Sequence, residues 1–275
     1  MERLRIKGMG RFSLAIMAIA VTVAFLVTPV HADTVKYVAH AGYMANDNMR
    51  INTKDAFEAA GQRGFWGCEC DINEAKSGVI LTTHDASING KSLKKYNWKT
   101  AIDKVNRRTD GKYKNKGAAT FGDFARACKK YNMVPVVEVK SGMTKDGIRR
   151  SVAFLHKTGI LNSQTIYLGF RDKPAEYAAY AKKYARSKYG VKIKAIVTIK
   201  NAKDTTKAKN FAKKNGMNGI CICDSQVNST FSEKAKGMEK HAWVYGHQKV
   251  HTLAEIQRME NCGVQTVITN GIPQK

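Results

Sequence analysis

Residues 134–140, read as VPVVEVK, decide the fold. The run is almost continuously apolar and rich in valine, and it is too short for an ordinary helix. It predicts a strand, Val134–Val139, covered on both faces. Downstream, strand-like runs recur at Thr165–Leu168, Ile193–Ile199, Gly219–Cys223, Ala242–Tyr245 and Thr266–Ile268. Helical spacing fills the gaps between them, at 145–158, 174–187, 204–215, 229–239 and 252–261. Upstream lie two more apolar runs, Val35–Ala39 and Trp66–Ile72. The segment between those two starts as a helix does, with a capping polar residue and an early acid in Asn52-Thr53-Lys54-Asp55. Thr120–Tyr131 is helical again, through Phe121, Phe124, Ala125 and Cys128. Eight β units, nearly all followed by a helix, predict an α/β fold of one domain over residues 33–275, a closed (β/α)8 TIM barrel. An open doubly wound sheet is the competing arrangement, but no glycine-rich phosphate loop follows the first strand.

One stretch breaks the alternation. Lys76-Ser77-Gly78 turns the chain into a strand-like run, Val79–Thr83, which ends at His84-Asp85. Ala86 to Ala119 is then polar, with Lys, Asn and Gly throughout, and is expected to form a loop or small excursion with little core of its own.

The N-terminus reads as an address. A basic head from Arg3 to Arg11 precedes the apolar run Phe12–Val27 and a small-residue exit at Val30-His31-Ala32. This predicts a secretory signal peptide over residues 1–32, cleaved after Ala32, and a secreted mature chain. The apolar run is shorter than the roughly 20 residues a spanning helix needs. Charge is lopsided, with 47 Lys+Arg against 22 Asp+Glu and a formal net charge of +25. Such a field favours anionic partners: phosphate esters, an anionic membrane or a cell-wall surface. The plainer reading is a solvated lysine surface that keeps the protein soluble. The bases are spread along the chain and no nucleic-acid motif stands out, so a dedicated nucleic-acid binder is not expected.

Six cysteines in an exported chain raise the question of disulfides. Cys68 and Cys70 alternate with Glu69 and Asp71, and Cys221 and Cys223 form a second C-x-C pair. If the carboxylates face a site, Cys68 and Cys70 face the packed helices, where a thiol acts as a small hydrophobe. The spacing also departs from that of structural zinc sites.

The reactive groups collect at strand ends, where a barrel of this kind builds its site. His40 follows the first strand, Glu69 and Asp71 end the second, and Glu138 and Lys140 end the third. Glu69 and Asp71 are two apart and point the same way. Two like carboxylates on one face repel, and a divalent cation removes that conflict. With Glu138 they make an all-oxygen ligand set that suits Mg²⁺ or Ca²⁺ rather than zinc. Lys140 offsets phosphate charge, and His40 and His84 supply general acid and base in either order. The target is a phosphodiester, either a small molecule or a lipid head group.

These residues resemble the glycerophosphodiester phosphodiesterase family, whose pattern is H-R-G, E-N-T, E-x-D, H-D and V-E-I-K. Here the matching positions are His40-Ala41-Gly42, Ile51-Asn52-Thr53, Glu69-Cys70-Asp71, His84-Asp85 and Val137-Glu138-Val139-Lys140. Thr120-Phe121 resembles the start of the family's P-T-L-E-E helix, and GVQTVITNGIP at 263–273 resembles its closing motif. The resemblance implies a TIM barrel and a metal-dependent phosphodiesterase with two catalytic histidines. It also implies metal binding by the E-x-D pair and the later Glu, and in many members attack by a vicinal glycerol hydroxyl that gives a cyclic phosphate. Related phospholipase D toxins share the histidines and carboxylates. Two positions depart: the phosphate-binding arginine is Ala41, and the E-N-T glutamate is Ile51. The family's strand-seven tryptophan aligns with Tyr245, and Trp243 lies two before it, so either can wall the substrate pocket. The expected activity is hydrolysis of glycerophosphodiesters. The alternatives are a phospholipase D-like enzyme on intact lipid and a non-catalytic basic barrel that binds anionic polymer.

Overall fold

The structure, a computed structural model, describes residues 35–44, 50–106, 117–245 and 250–274. The expected signal peptide lies outside the described residues. The chain runs β1 (Lys36–Ala39), α1 (Lys54–Gln62), β2 (Gly67–Glu74), β3 (Ile80–Thr82), β4 (Ser87–Ile88), β5 (Lys91–Ser92), α2 (Trp98–Asn106), β6 (Ala119–Thr120) and α3 (Phe121–Tyr131). It continues through β7 (Val134–Val139), α4 (Lys145–Lys157), β8 (Ile166–Phe170), α5 (Lys173–Tyr189), β9 (Lys194–Ile199), α6 (Thr205–Lys214), β10 (Gly219–Cys223), α7 (Ser229–Lys234), β11 (Glu239–Trp243), α8 (Leu253–Asn261) and β12 (Thr266–Thr269). Strands β1, β2 and β7 to β12 pair in parallel, and β12 returns to β1 with Lys36 opposite Thr266. The sheet is therefore closed into the expected (β/α)8 barrel.

Alternation along each strand sorts the side chains. Val38, Val136, Ile166, Leu168, Ile196, Cys221 and Ile268 fill the barrel with Trp243 packed against them. Their neighbours in sequence face the helices, as do Ala175, Ala178, Ala181 and Ala185 of α5, whose small side chains let that helix lie close to the sheet. Cys68 and Cys70 belong to this outer layer, as the alternation predicts, and all six cysteines are free thiols. Thr120 caps α3 with a reciprocal bond to Asp123, and Thr53, within the expected helix start, caps α1.

Three elements differ from expectation. The 86–119 excursion does have a core of its own: Ile88, Leu93, Ala101 and Val105 are buried with Ala75 and Leu81. Ile88 and Leu93 come from separate short elements, and Ala101 and Val105 are one helical step apart in the short helix α2, too brief a pattern to stand out in a polar stretch. The antiparallel strands β3 and β6 tie this unit to β2, with Ile72 opposite Thr82 and Leu81 opposite Thr120. Helix α7 ends at Lys234 rather than near 239, because Gly237 turns the chain with φ of 81° and Glu239 already belongs to β11. That strand starts and stops earlier than the sequence suggests, which leaves Tyr245 beyond it.

Candidate active site

Side chains that leave the C-terminal ends of the strands point into the barrel mouth. His40 and Ala41 follow β1, Glu69 and Asp71 lie on β2, and Glu138 and Lys140 lie on or just past β7. Asp71 and Glu138 are register partners on adjacent strands. One carboxylate oxygen from each of Glu69, Asp71 and Glu138 lies within 4.8 Å of the others. The structure thus brings the three acids together.

Each acid is held differently. Glu69 accepts the backbone N–H of Ala41 at 2.7 Å through Oε2, while its buried Oε1 has no hydrogen-bond partner. Burial, and then the charges of Asp71 and Glu138, push its carboxyl well above the ordinary range. Burial also works against Asp71, but the Lys140 ammonium, His84 and hydrogen bonds from Lys140 and Asn52 outweigh it and hold that carboxyl low. Lys140 Nζ bonds Asp71 Oδ1 at 2.8 Å and also reaches Glu138 Oε1. Burial would lower Lys140, yet the two acids hold it firmly protonated. Glu138 ends up raised, since burial exceeds the pull of Lys140. A buried carboxylate oxygen with no partner, beside two more acids, fits a hard divalent cation with oxygen ligands. Glu69, Asp71 and Glu138 are the residues that would hold it.

The two histidines differ as well. His40 Nδ1 lies 3.0 Å from Asn270 Oδ1. A carbonyl oxygen accepts, so Nδ1 carries the proton and Nε2 keeps its lone pair. Burial pushes the ring down to about 4, against the pull of Asp71. His84 is half exposed and bonds Asp85 Oδ1 at 2.9 Å. That hydrogen bond raises its ring above the usual value against the effect of burial, with help from Asp71.

The chain matches the family model described as "Glycerophosphoryl diester phosphodiesterase family" over residues 40–273. The chain belongs to this glycerophosphoryl diester phosphodiesterase family. It is accordingly a phosphoric diester hydrolase by class. A comparison with curated proteins finds no match. Among solved structures, a glycerophosphodiester phosphodiesterase from Parabacteroides distasonis is similar at 21% identity and TM-score 0.62, over 86% of this chain and 93% of that one. One from Agrobacterium tumefaciens has 17% identity and TM-score 0.61, over 86% and 96%. An Oleispira antarctica phosphodiesterase, solved with the product sn-glycerol-3-phosphate, has 15% identity and TM-score 0.64, over 86% and 92%.

Where the family pattern carries arginine, this diesterase has Ala41, fully buried in the left-handed region at φ 53°. Its methyl has no charge or hydrogen bond to offer an anion, but its N–H holds Glu69. Gly42 follows at φ 85°, and a Cβ there would lie 2.7 Å from Ala56. Trp243 lies at the mouth with its ring edge-on to Phe170 at 5.7 Å and tilted against Tyr245 at 5.8 Å. Tyr245 is 66% exposed, whereas Trp243 is partly buried against the barrel interior.

Two asparagines take part in the site beyond what sequence patterns suggest. Asn52 donates to Asp71 Oδ2 at 2.7 Å and accepts the Asp71 backbone N–H at 3.0 Å. It reads as a helix-start residue, and the signal of a second duty is its left-handed φ of 56°. Asn270 reaches His40 across 230 residues of sequence; it lies in the closing motif of the resemblance, which assigns it no partner.

Proposed function

We propose that this diesterase is an exported, divalent-cation-dependent enzyme that hydrolyses glycerophosphodiesters with His40 as general base and His84 as general acid. The observation that carries it is the unpartnered Glu69 Oε1 beside Asp71 and Glu138, with two nearby histidines whose surroundings shift them in opposite directions. A bound Mg²⁺ or Ca²⁺ would polarise a phosphoryl oxygen and offset its charge. His40, neutral through burial and with Nδ1–H engaged by Asn270, presents Nε2 to take a proton from the attacking hydroxyl. His84, whose hold on its proton Asp85 strengthens, gives that proton to the departing alkoxide. Lys140 stays charged and attracts a phosphate oxygen as a point cation. Trp243 and Tyr245 wall the alcohol portion. The basic head, apolar run and Val-His-Ala exit support export with cleavage after Ala32.

The test is cleavage of soluble glycerophosphodiesters with and without a chelator, in the parent and in Glu69→Ala. Loss of activity in chelator, its return with Mg²⁺ or Ca²⁺, and an inert variant are expected. Undiminished turnover in both conditions would overturn the cation requirement. Release of head groups from intact lipid, with deacylated diesters poor, would favour the phospholipase D-like reading. Salt-dependent binding of anionic polymer without turnover would favour the binding protein.

A further inference from the structure

The His40 loop is anchored from behind by a buried polar chain that no step above uses. His251 Nε2 lies 3.1 Å from Asp224 Oδ2, and its Nδ1 lies 2.8 Å from Thr269 Oγ1. All three residues are buried, with His251 at 3% and Thr269 at 0% exposure. An aspartate carboxylate accepts only, so His251 carries a proton on Nε2, and its Nδ1 faces the Thr269 hydroxyl. Thr269 Oγ1 also accepts the N–H of Gly271 at 3.4 Å and lies 3.2 Å from the Gly271 carbonyl, to which the hydroxyl can donate. Asp224 is fixed in turn by the Cys223 thiol at 3.4 Å, and Arg258 donates to its carbonyl at 3.1 Å.

The far end of this chain is the peptide that holds His40. The Thr269 carbonyl accepts the His40 backbone N–H at 3.0 Å, and the next residue, Asn270, holds the His40 ring through Nδ1. Thr269 is the last residue of β12 and pairs with Ala39, so Asn270 is the first residue past the strand. The loops that follow β10 and β11 are thus tied to the end of β12 directly behind the proposed base.

We infer that Asp224, His251 and Thr269 are positioning residues that set the tautomer and orientation of His40 through the Thr269–Asn270 peptide. Their contribution to catalysis rests on the reading of His40 as base; their effect on the His40 ring does not. Thr269 Oγ1 is held between His251 and the Gly271 backbone, which fixes the peptide that spans Asn270. Asn270 Oδ1 then stays aimed at Nδ1, which keeps the proton on that nitrogen. Small misplacements of a catalytic group cost up to about 100-fold in rate.

The test compares His251→Phe, Thr269→Val, their double variant and the hydroxyl-retaining Thr269→Ser. His241→Phe, a buried histidine whose side chain pairs with Glu239 away from the mouth, serves as a control for lost packing. Expected is a fall in kcat of about 10- to 100-fold for His251→Phe and Thr269→Val, with KM within about twofold. The double variant should be no worse than the poorer single one, because the residues act as a unit. Thr269→Ser should restore most of the rate. His241→Phe should lower Tm while leaving kcat in place. Ring ¹⁵N shifts of His40 should show mixed tautomers in the two impaired variants and one in Thr269→Ser. The inference is overturned if the variants lose Tm alone, if their effects on kcat add, or if the His40 ring shifts stay put. Should no diester be cleaved by any form, a changed His40 tautomer would still uphold the anchoring and the loss would fall on the functional reading.

Discussion

His40 and His84 are the same residue type, yet their surroundings drive them apart. Burial takes His40 down to about 4, while Asp85 lifts His84 above its ordinary value. With His40 as base, activity falls as pH drops through about 4 and the ring gains its proton. With His84 as acid, activity falls as pH rises through its raised value and the proton is lost. A broad pH–rate profile of kcat/KM is expected, with its acid limb near 4. His84→Asn should remove the alkaline limb and cost about 100- to 10,000-fold in kcat. An acid limb that disappears with His84 instead would reverse the two roles. Asn52 offers a second test at this scale. It gives Asp71 two hydrogen bonds inside the barrel and holds a left-handed backbone. Asn52→Ala leaves a buried carboxylate oxygen and an N–H unpaired, which costs about 1–3 kcal/mol in a urea titration. Divalent cation affinity, measured by calorimetry, should weaken about 10- to 100-fold, since the ligand's orienting partner is gone.

The elements explain which of these residues could be read in advance. Glu69, Asp71 and Glu138 sit on strands, where a period of two fixes the face; once VPVVEVK and GCECDINE are strands, the acids must converge. Lys140 follows from the same count. Asn52 and Asn270 lie at loop positions whose direction depends on left-handed φ or on a partner far away in sequence, and no period governs those. The 86–119 unit escaped for a related reason: Ile88, Leu93 and Val105 are apolar, but a hairpin and a short helix must fold before they meet. The β1–α1 connection shows how tightly a loop can be specified all the same. Gly42 turns at φ 85° against Ala56, two residues after His40. Gly42→Ala forces a Cβ into backbone atoms at 2.7 Å and a strained φ. It should cost about 2–4 kcal/mol and displace the Ala41 N–H from Glu69. Unfolding in urea measures the first effect. Weaker cation binding measures the second, and unchanged binding would mean that the loop recovers its path.

Across the whole molecule the excess of bases is the dominant electrostatic feature, and the site contributes little to it. Three carboxylates, with one lysine among them, make the mouth locally acidic, whereas the chain as a whole carries +25. The two fields act at different ranges. Charges in the mouth lie within a few ångströms of a bound phosphate and are little screened. The surface lysines act over distances near the Debye length, about 8 Å at physiological salt. Salt should therefore weaken capture of an anionic substrate while leaving the bound complex alone. A diester with net negative charge, such as glycerophosphoglycerol, should lose about tenfold in kcat/KM between 10 and 300 mM salt, with kcat constant. Glycerophosphocholine, whose charges cancel, should change little over the same range. Equal salt dependence for both would point to ions competing at the carboxylates. No dependence for either would mean that the lysines only solvate the surface, and that the long-range field plays no part in finding substrate.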